Sequence, residues 1–148
     1  MKTRDLCLAA HAHAAMLVLC AVFLAGCTTP VAVVEEVETE VLSRTAFTSR
    51  IEIFFEYDPL RSGEASAFLI HLTDLLDGSP VQDAQVQLSV RSQAGRNEVA
   101  GTTALVGRVT GIYVAELTVP TPGIYDIEFR VQNGVIDESM TLSGFEVK

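Results

Sequence analysis

Tyr125-Asp-Ile-Glu-Phe-Arg-Val131 alternates without a break, with Tyr125, Ile127, Phe129 and Val131 apolar and Asp126, Glu128 and Arg130 charged. Successive side chains of a strand point to opposite faces, so this period of two sets a core face against a wet face. A helix would need apolar positions three and four apart. The stretch therefore predicts a strand of an antiparallel sheet, solvated on one side. Pro122-Gly123 precedes it and Asn133-Gly134, a tight-turn pair, follows it.

Working outward, the same period recurs between turn residues. Ile51, Ile53, Phe55 and Tyr57 alternate with Glu52, Phe54 and Glu56, and Asp58-Pro59 and Ser62-Gly63 then break the chain. Ser66 to Leu72 is apolar on both faces, as a central strand requires. Asp77-Gly78-Ser79-Pro80 turns, and Val86, Leu88 and Val90 alternate with Gln85, Gln87, Ser89 and Arg91. Gly95-Arg96-Asn97 turns again, before a weaker segment from Glu98 to Val109. Tyr113, Ala115, Leu117 and Val119 share a face, Pro120-Thr-Pro-Gly123 stops that strand, and a last strand from about Asp137 to Val147 has Gly144 as its expected bulge. With no dozen-residue helical connection, a parallel sheet is excluded. Some seven short strands over ~100 residues predict an all-β, immunoglobulin-like antiparallel sandwich over residues 50–148. Tyr125, just after a Pro-Gly pair, matches a tyrosine corner, in which the phenol ties back to the backbone; simple packing is the rival role.

The N-terminus carries an address. Lys2 and Arg4 precede an apolar run that is densest from Ala14 to Ala25 and ends in Leu24-Ala25-Gly26-Cys27. A positive start, an apolar centre and small residues at the cut describe a secretory signal peptide. The tetrad resembles a bacterial lipobox, which implies cleavage after Gly26 and acylation of Cys27. The alternative is an uncleaved anchor, since the run approaches the length of a membrane-spanning helix. Cleavage removes Cys7 and Cys20, leaving no free thiol for a disulfide or a cysteine metal site. Two or three acyl chains hold a protein at a membrane stably, where one does not. Thr28 stands where Asp would signal inner-membrane retention, so the expected location is the outer membrane, facing the periplasm. Residues 27–49 then read as an acidic tether, Val31-Ala-Val-Val-Glu-Glu-Val-Glu-Thr-Glu-Val at its centre. As a flexible chain of ~20 residues it spans roughly 25 Å. Its glutamates repel an anionic bilayer, or offer a strip to a basic partner.

Ten basic and nineteen acidic residues give a net charge of −9. Loss of Lys2, Arg4 and Asp5 leaves eight and eighteen, a net charge of −10. Such a chain lacks the basic stripe that nucleic acid demands and the cationic patch that anionic lipid attracts.

Chemistry finds little footing. His71 is the only histidine after the signal segment, and no Gly-x-Ser-x-Gly elbow accompanies it. No nucleophile, base and orienting group can be assembled, which argues against an enzyme. His71 and Met140 fall short of the three or four ligands of a metal site, so His71 is a weak candidate ligand and no cofactor is expected.

A resemblance narrows the field. Glu52-Ile-Phe-Phe-Glu-Tyr-Asp-Pro-Leu60, then Gly63-Glu-Ala-Ser-Ala-Phe-Leu-Ile-His-Leu-Thr-Asp-Leu75 and Pro80-Val81, is similar to the N-terminal periplasmic domain of heavy-metal RND efflux adaptors, the membrane fusion proteins of the HlyD superfamily. Gly111-Ile-Tyr and Pro122-Gly-Ile-Tyr125 fit its second half. The positions that carry over are Glu56, Tyr57, Pro59, Gly63, Phe68, His71, Leu72, Thr73, Pro80 and Tyr125, as structural or interaction residues. The helical hairpin, lipoyl-like domain and β-barrel of an adaptor do not follow before Lys148, so a free-standing relative and the leading part of a longer adaptor both stay open. The resemblance implies an envelope location and an association with heavy-metal efflux, with an RND component as partner, and does not imply transport mechanics. The expectation is a non-enzymatic lipoprotein that binds another envelope protein through a sandwich edge and the Phe54 face. A stand-alone metal or small-ligand carrier and a structural envelope lipoprotein are the alternatives.

Overall fold

A computed structural model describes residues 40–95 and 97–148. The expected signal segment with Leu24, Ala25 and Gly26, the expected lipidation position Cys27 and the first part of the expected tether lie outside the described residues.

Nine strands follow one another: β1 (Leu42–Phe47), β2 (Ile51–Tyr57), β3 (Ala65–Asp74), β4 (Gln85–Ser92), β5 (Glu98–Thr103), β6 (Leu105–Val106), β7 (Ile112–Thr118), β8 (Gly123–Gln132) and β9 (Asp137–Val147). They form two antiparallel sheets, β1-β2-β3-β7-β6 and β5-β4-β8-β9. The order β2-β3-β7-β6 against β4-β8-β9 is that of the immunoglobulin sandwich, with β5 added beside β4 and β1 beside β2. The chain crosses between sheets at Ala104, so that Thr103 pairs with Gln87 in one sheet and Leu105 with Val114 in the other.

The extra strand β1 corrects the domain boundary. The sheet starts at Leu42, not at Arg50, so Leu42–Phe47, expected within the tether, belongs to the sandwich. Thr48 makes the hairpin: its hydroxyl accepts from the backbone N–H of Arg50 and of Ile51, both at 3.0 Å. The strand count rises to nine because β1 and the two-residue β6 are edge strands without a full apolar period.

The alternating positions of β8 fill the core as expected, Ile127, Phe129 and Val131 being fully buried. An aromatic cluster holds the β1–β9 side. Phe55 lies 4.8 Å from Phe129 between ring centroids, and Tyr57 lies 5.3 Å from Phe68 and 5.6 Å from Phe145. Such pairs add about 0.5–1.5 kcal/mol each beyond the area they bury. With every cysteine at or before position 27, no disulfide supplements that core.

Gly144 is the expected bulge. Tyr125 pairs with Phe145 but Ile127 with Leu142, so β9 has one extra residue, and Gly144 takes φ +81° there. The extra residue shifts the period: Met140 and Leu142 face inward before it, Phe145 and Val147 after it. Without it, the Phe145 ring would face solvent. The other tight turn sits one residue beyond Asn133-Gly134. Asn133 donates its N–H to the Ile136 carbonyl, closing a loop of Gly134 and Val135. The Asn133 side chain takes the N–H groups of Val135 and Ile136.

Candidate functional site

Three of the motif residues, Leu72, Thr73 and Pro80, meet in one structural junction. Leu72 is buried at the end of β3; its N–H donates to the Gly111 carbonyl and its carbonyl accepts from Val81, both at 2.9 Å. Thr73 bridges to Pro80, and Pro80 packs against Gly111. Tyr113, 1% exposed, donates its hydroxyl to the Val81 carbonyl at 3.0 Å and accepts from the Ala84 N–H at 3.1 Å. The Pro80-Val81 and Gly111-Ile-Tyr113 stretches thus meet, and they tie the β3–β4 loop to the start of β7.

The other motif positions also serve the fold. Tyr57 and Phe68 stack in the core, Gly63 holds φ +75° in the β2–β3 turn, and the Pro59 carbonyl faces the Ser66 hydroxyl at 3.4 Å. Tyr125 is a tyrosine corner: its hydroxyl donates to the Thr121 carbonyl at 2.9 Å and shares a 2.8 Å bond with the Thr121 hydroxyl. Only 3% exposed, it packs as well as tethers.

Glu56 and His71 stand apart, on the outward face of the β1–β6 sheet. The register sets Phe54 beside His71 and His71 beside Ile112, with Glu56 beside Leu69, Leu69 beside Val114 and Val114 beside Leu105. An apolar strip therefore crosses four strands. Its outer part is open to solvent, Leu105 being 75% exposed and Val114 39%. Phe47, at the β1 end of the same face, is 61% exposed.

The opposite outward face has a different character. β4 and β8 present Gln87, Ser89, Arg91, Glu128 and Arg130 there, and β9 presents Ser139. Glu128 binds Arg91 at 3.1 Å and the Ser139 hydroxyl at 2.7 Å, and Arg130 reaches Asp137 at 3.5 Å. The centre of one face satisfies itself with cross-strand polar pairs, with Ile124 at the end of β8 its exposed apolar exception, while the other face sets a run of apolar groups across four strands.

His71 lies against Phe54 with ring centroids 5.3 Å apart, and its Nε2 is buried without a hydrogen-bond partner among the described residues. Among those residues no three His, Cys, Asp or Glu side chains gather into a set that could hold a metal ion. As a ligand His71 would act alone.

The open side between β1 and β9 carries a cleft of about 280 Å³, lined by Leu42, Arg44, Tyr57, Phe145 and Lys148 among others. Arg44 closes it on the β9 side, donating to the Ser143 and Gly144 carbonyls at 2.9 and 3.1 Å, with its guanidinium 4.1 Å over the Phe145 ring. Two positive and two negative side chains line the cleft, counting Glu40 and Glu146. It therefore selects neither sign of ligand.

At the far end of the sandwich, Arg50 binds Asp74 at 2.7 Å. That hydrogen bond, together with the Leu76 N–H, holds the Asp74 carboxyl below its ordinary value. Asp77, bonded by Ser79, and Asp126, bonded by Gln93, are lowered in the same way. These are carboxylates stabilised as anions by neighbouring hydrogen-bond donors, the opposite of a general acid kept protonated near neutrality.

No family model, curated protein or solved structure matches the chain. Only part of the outward strip is visible as a local sequence pattern. Phe54 stood out from its strand, but Leu105 and Val114 join it only once β6, β7 and β3 are placed side by side.

Proposed function

We propose that the chain is a non-enzymatic lipoprotein of the bacterial envelope, anchored through acylated Cys27 and binding another envelope protein with its immunoglobulin-like domain. The observation that carries this reading is the contrast between the two outward faces: polar side chains pair across one, and on the other an apolar strip runs from half-buried Phe54 and Leu69 out to exposed Val114 and Leu105. A wet apolar strip on a sheet is costly unless something covers it. The motif resemblance supplies the second support, and it favours a role accessory to a heavy-metal RND efflux system.

The test is co-purification of the full-length protein after mild crosslinking in cells, with partners identified by mass spectrometry. Recovery of an RND pump, adaptor or outer-membrane channel supports the accessory role. In parallel, Cys27→Ser should abolish acylation and release the protein from the membrane fraction. A small-ligand carrier is the second reading, favoured by the cleft between β1 and β9. Recovery of no partner from abundant lipidated protein would favour it.

A further inference from the structure

We propose that the outward face of the β1-β2-β3-β7-β6 sheet docks an apolar protein segment flanked by lysine or arginine. The inference rests on the protein-binding reading above and names the chemistry of the partner.

The charge pattern carries it. The outward positions of this sheet are Ser43, Thr45 and Phe47 on β1, then Glu52, Phe54 and Glu56 on β2. On β3 they are Ala67, Leu69, His71 and Thr73, and on β7 Ile112, Val114, Glu116 and Thr118, with Leu105 on β6. Three carboxylates stand among them and no lysine or arginine. Glu52 and Glu56 flank Phe54 along β2, and Glu116 follows Val114 along β7. None of the three makes an ion pair or side-chain hydrogen bond among the described residues, unlike Glu128 on the other face. Covering the strip brings these carboxylates out of bulk water, so a binder must supply opposite charge at the rim of its apolar contact.

Charge also disfavours the other occupants. Two copies joined face to face would crowd six carboxylates around one apolar seam. The chain's own upstream segment carries Glu35, Glu36 and Glu38, and would repel the face in the same way. An anionic lipid surface is excluded on the same ground.

The experiment places a photo-crosslinking phenylalanine derivative at Val114, and separately at Thr141 on the polar sheet, in the full-length lipidated protein in cells. Capture is expected from Val114 and not from Thr141. The crosslinked peptide should be apolar with Lys or Arg within a few residues. In an E52K/E56K/E116K background the Val114 yield should fall about tenfold, the effect of three rim charge pairs turned repulsive. E52Q/E56Q/E116Q should give an intermediate yield, and circular dichroism confirms that both variants keep their strands. A Val114 yield that ignores these substitutions, or a captured peptide without basic flanks, overturns the partner chemistry and leaves the docking reading standing. Capture of a second copy, or of residues 28–39, overturns it too. Equal or absent capture at the two positions defeats both the inference and the reading beneath it.

Discussion

Gly111 and Pro80 touch so closely that a Cβ on the glycine would lie 2.5 Å from the Cβ of the proline. Gly111 also holds φ +79°, a region that L side chains avoid. The contact joins the loop after β3 to the start of β7, beside the Leu72 N–H bond to the Gly111 carbonyl. Gly63 has nearly the same φ, +75°, but open space where its Cβ would go. The pair separates two effects, backbone strain alone and strain with steric overlap. Gly63→Ala should cost about 1 kcal/mol and Gly111→Ala about 3 kcal/mol. Urea unfolding of the purified protein measures both, and Pro80→Gly should recover part of the second loss. Equal costs at the two glycines would mean that the Pro80 contact relaxes freely.

Two tyrosine hydroxyls do similar work in different surroundings. Tyr113 bonds Val81 and Ala84, both buried, whereas Tyr125 bonds Thr121, which is exposed. Water can replace the second phenol but not the first. Tyr113→Phe should therefore cost about 2–3 kcal/mol and Tyr125→Phe about 1 kcal/mol, by thermal or urea unfolding. The reverse order would contradict the burial argument.

How far such features could be foreseen differs between elements. β8 was legible because all four of its inward residues, Tyr125 to Val131, are apolar and all reach the core. β1 was not, and its sequence shows why. Its inward positions are Leu42, Arg44 and Ala46, so the central one is charged and the last is small. An edge strand above an open cleft can fill its middle position with an arginine that spans to the other sheet, and no apolar period then marks it. The period of β9 changes phase at Gly144, and the glycine itself was the visible sign. The tie made by Tyr113 was hidden for another reason: Val81 and Ala84 are distant in sequence and meet it only through the fold. The outward strip was half legible, since Phe54 and the two-sided β3 are local patterns while the neighbours of Val114 depend on strand order.

Arg44 is the main link across the open side, so its loss should loosen β1 before anything else. Arg44→Met keeps the apolar stem but removes both carbonyl bonds and the cation over Phe145. The expected cost is about 1–2 kcal/mol. Hydrogen exchange should quicken at the β1 amides, with the central strands β4 and β8 unchanged. Uniform quickening across both sheets would show that β1 opens only with the whole domain.

The Arg50–Asp74 pair gives the domain an acid-sensitive contribution whose sign is fixed by the direction of the shift. The Arg50 hydrogen bond is the largest cause lowering the Asp74 pKa from the ordinary 3.8, with the Leu76 N–H second. A carboxyl that is more acidic in the folded than in the unfolded chain contributes stability that is full above the unfolded value. That contribution is lost as pH falls through the lowered folded value. Asp74→Asn keeps a carbonyl oxygen for the Leu76 N–H but gives up the charge. The melting temperature of this variant should therefore trail that of the parent at neutral pH, and the gap should close as pH drops well below 3.8. Asp126 is lowered too, but it is independent of the pair and cancels from the difference. Asp77, also lowered, repels the Asp74 carboxylate and is relieved of that neighbour in the variant, which narrows the gap slightly at neutral pH. A gap that stays constant down to strongly acidic pH would show that the pair acts through its geometry alone, with no part played by the carboxylate charge.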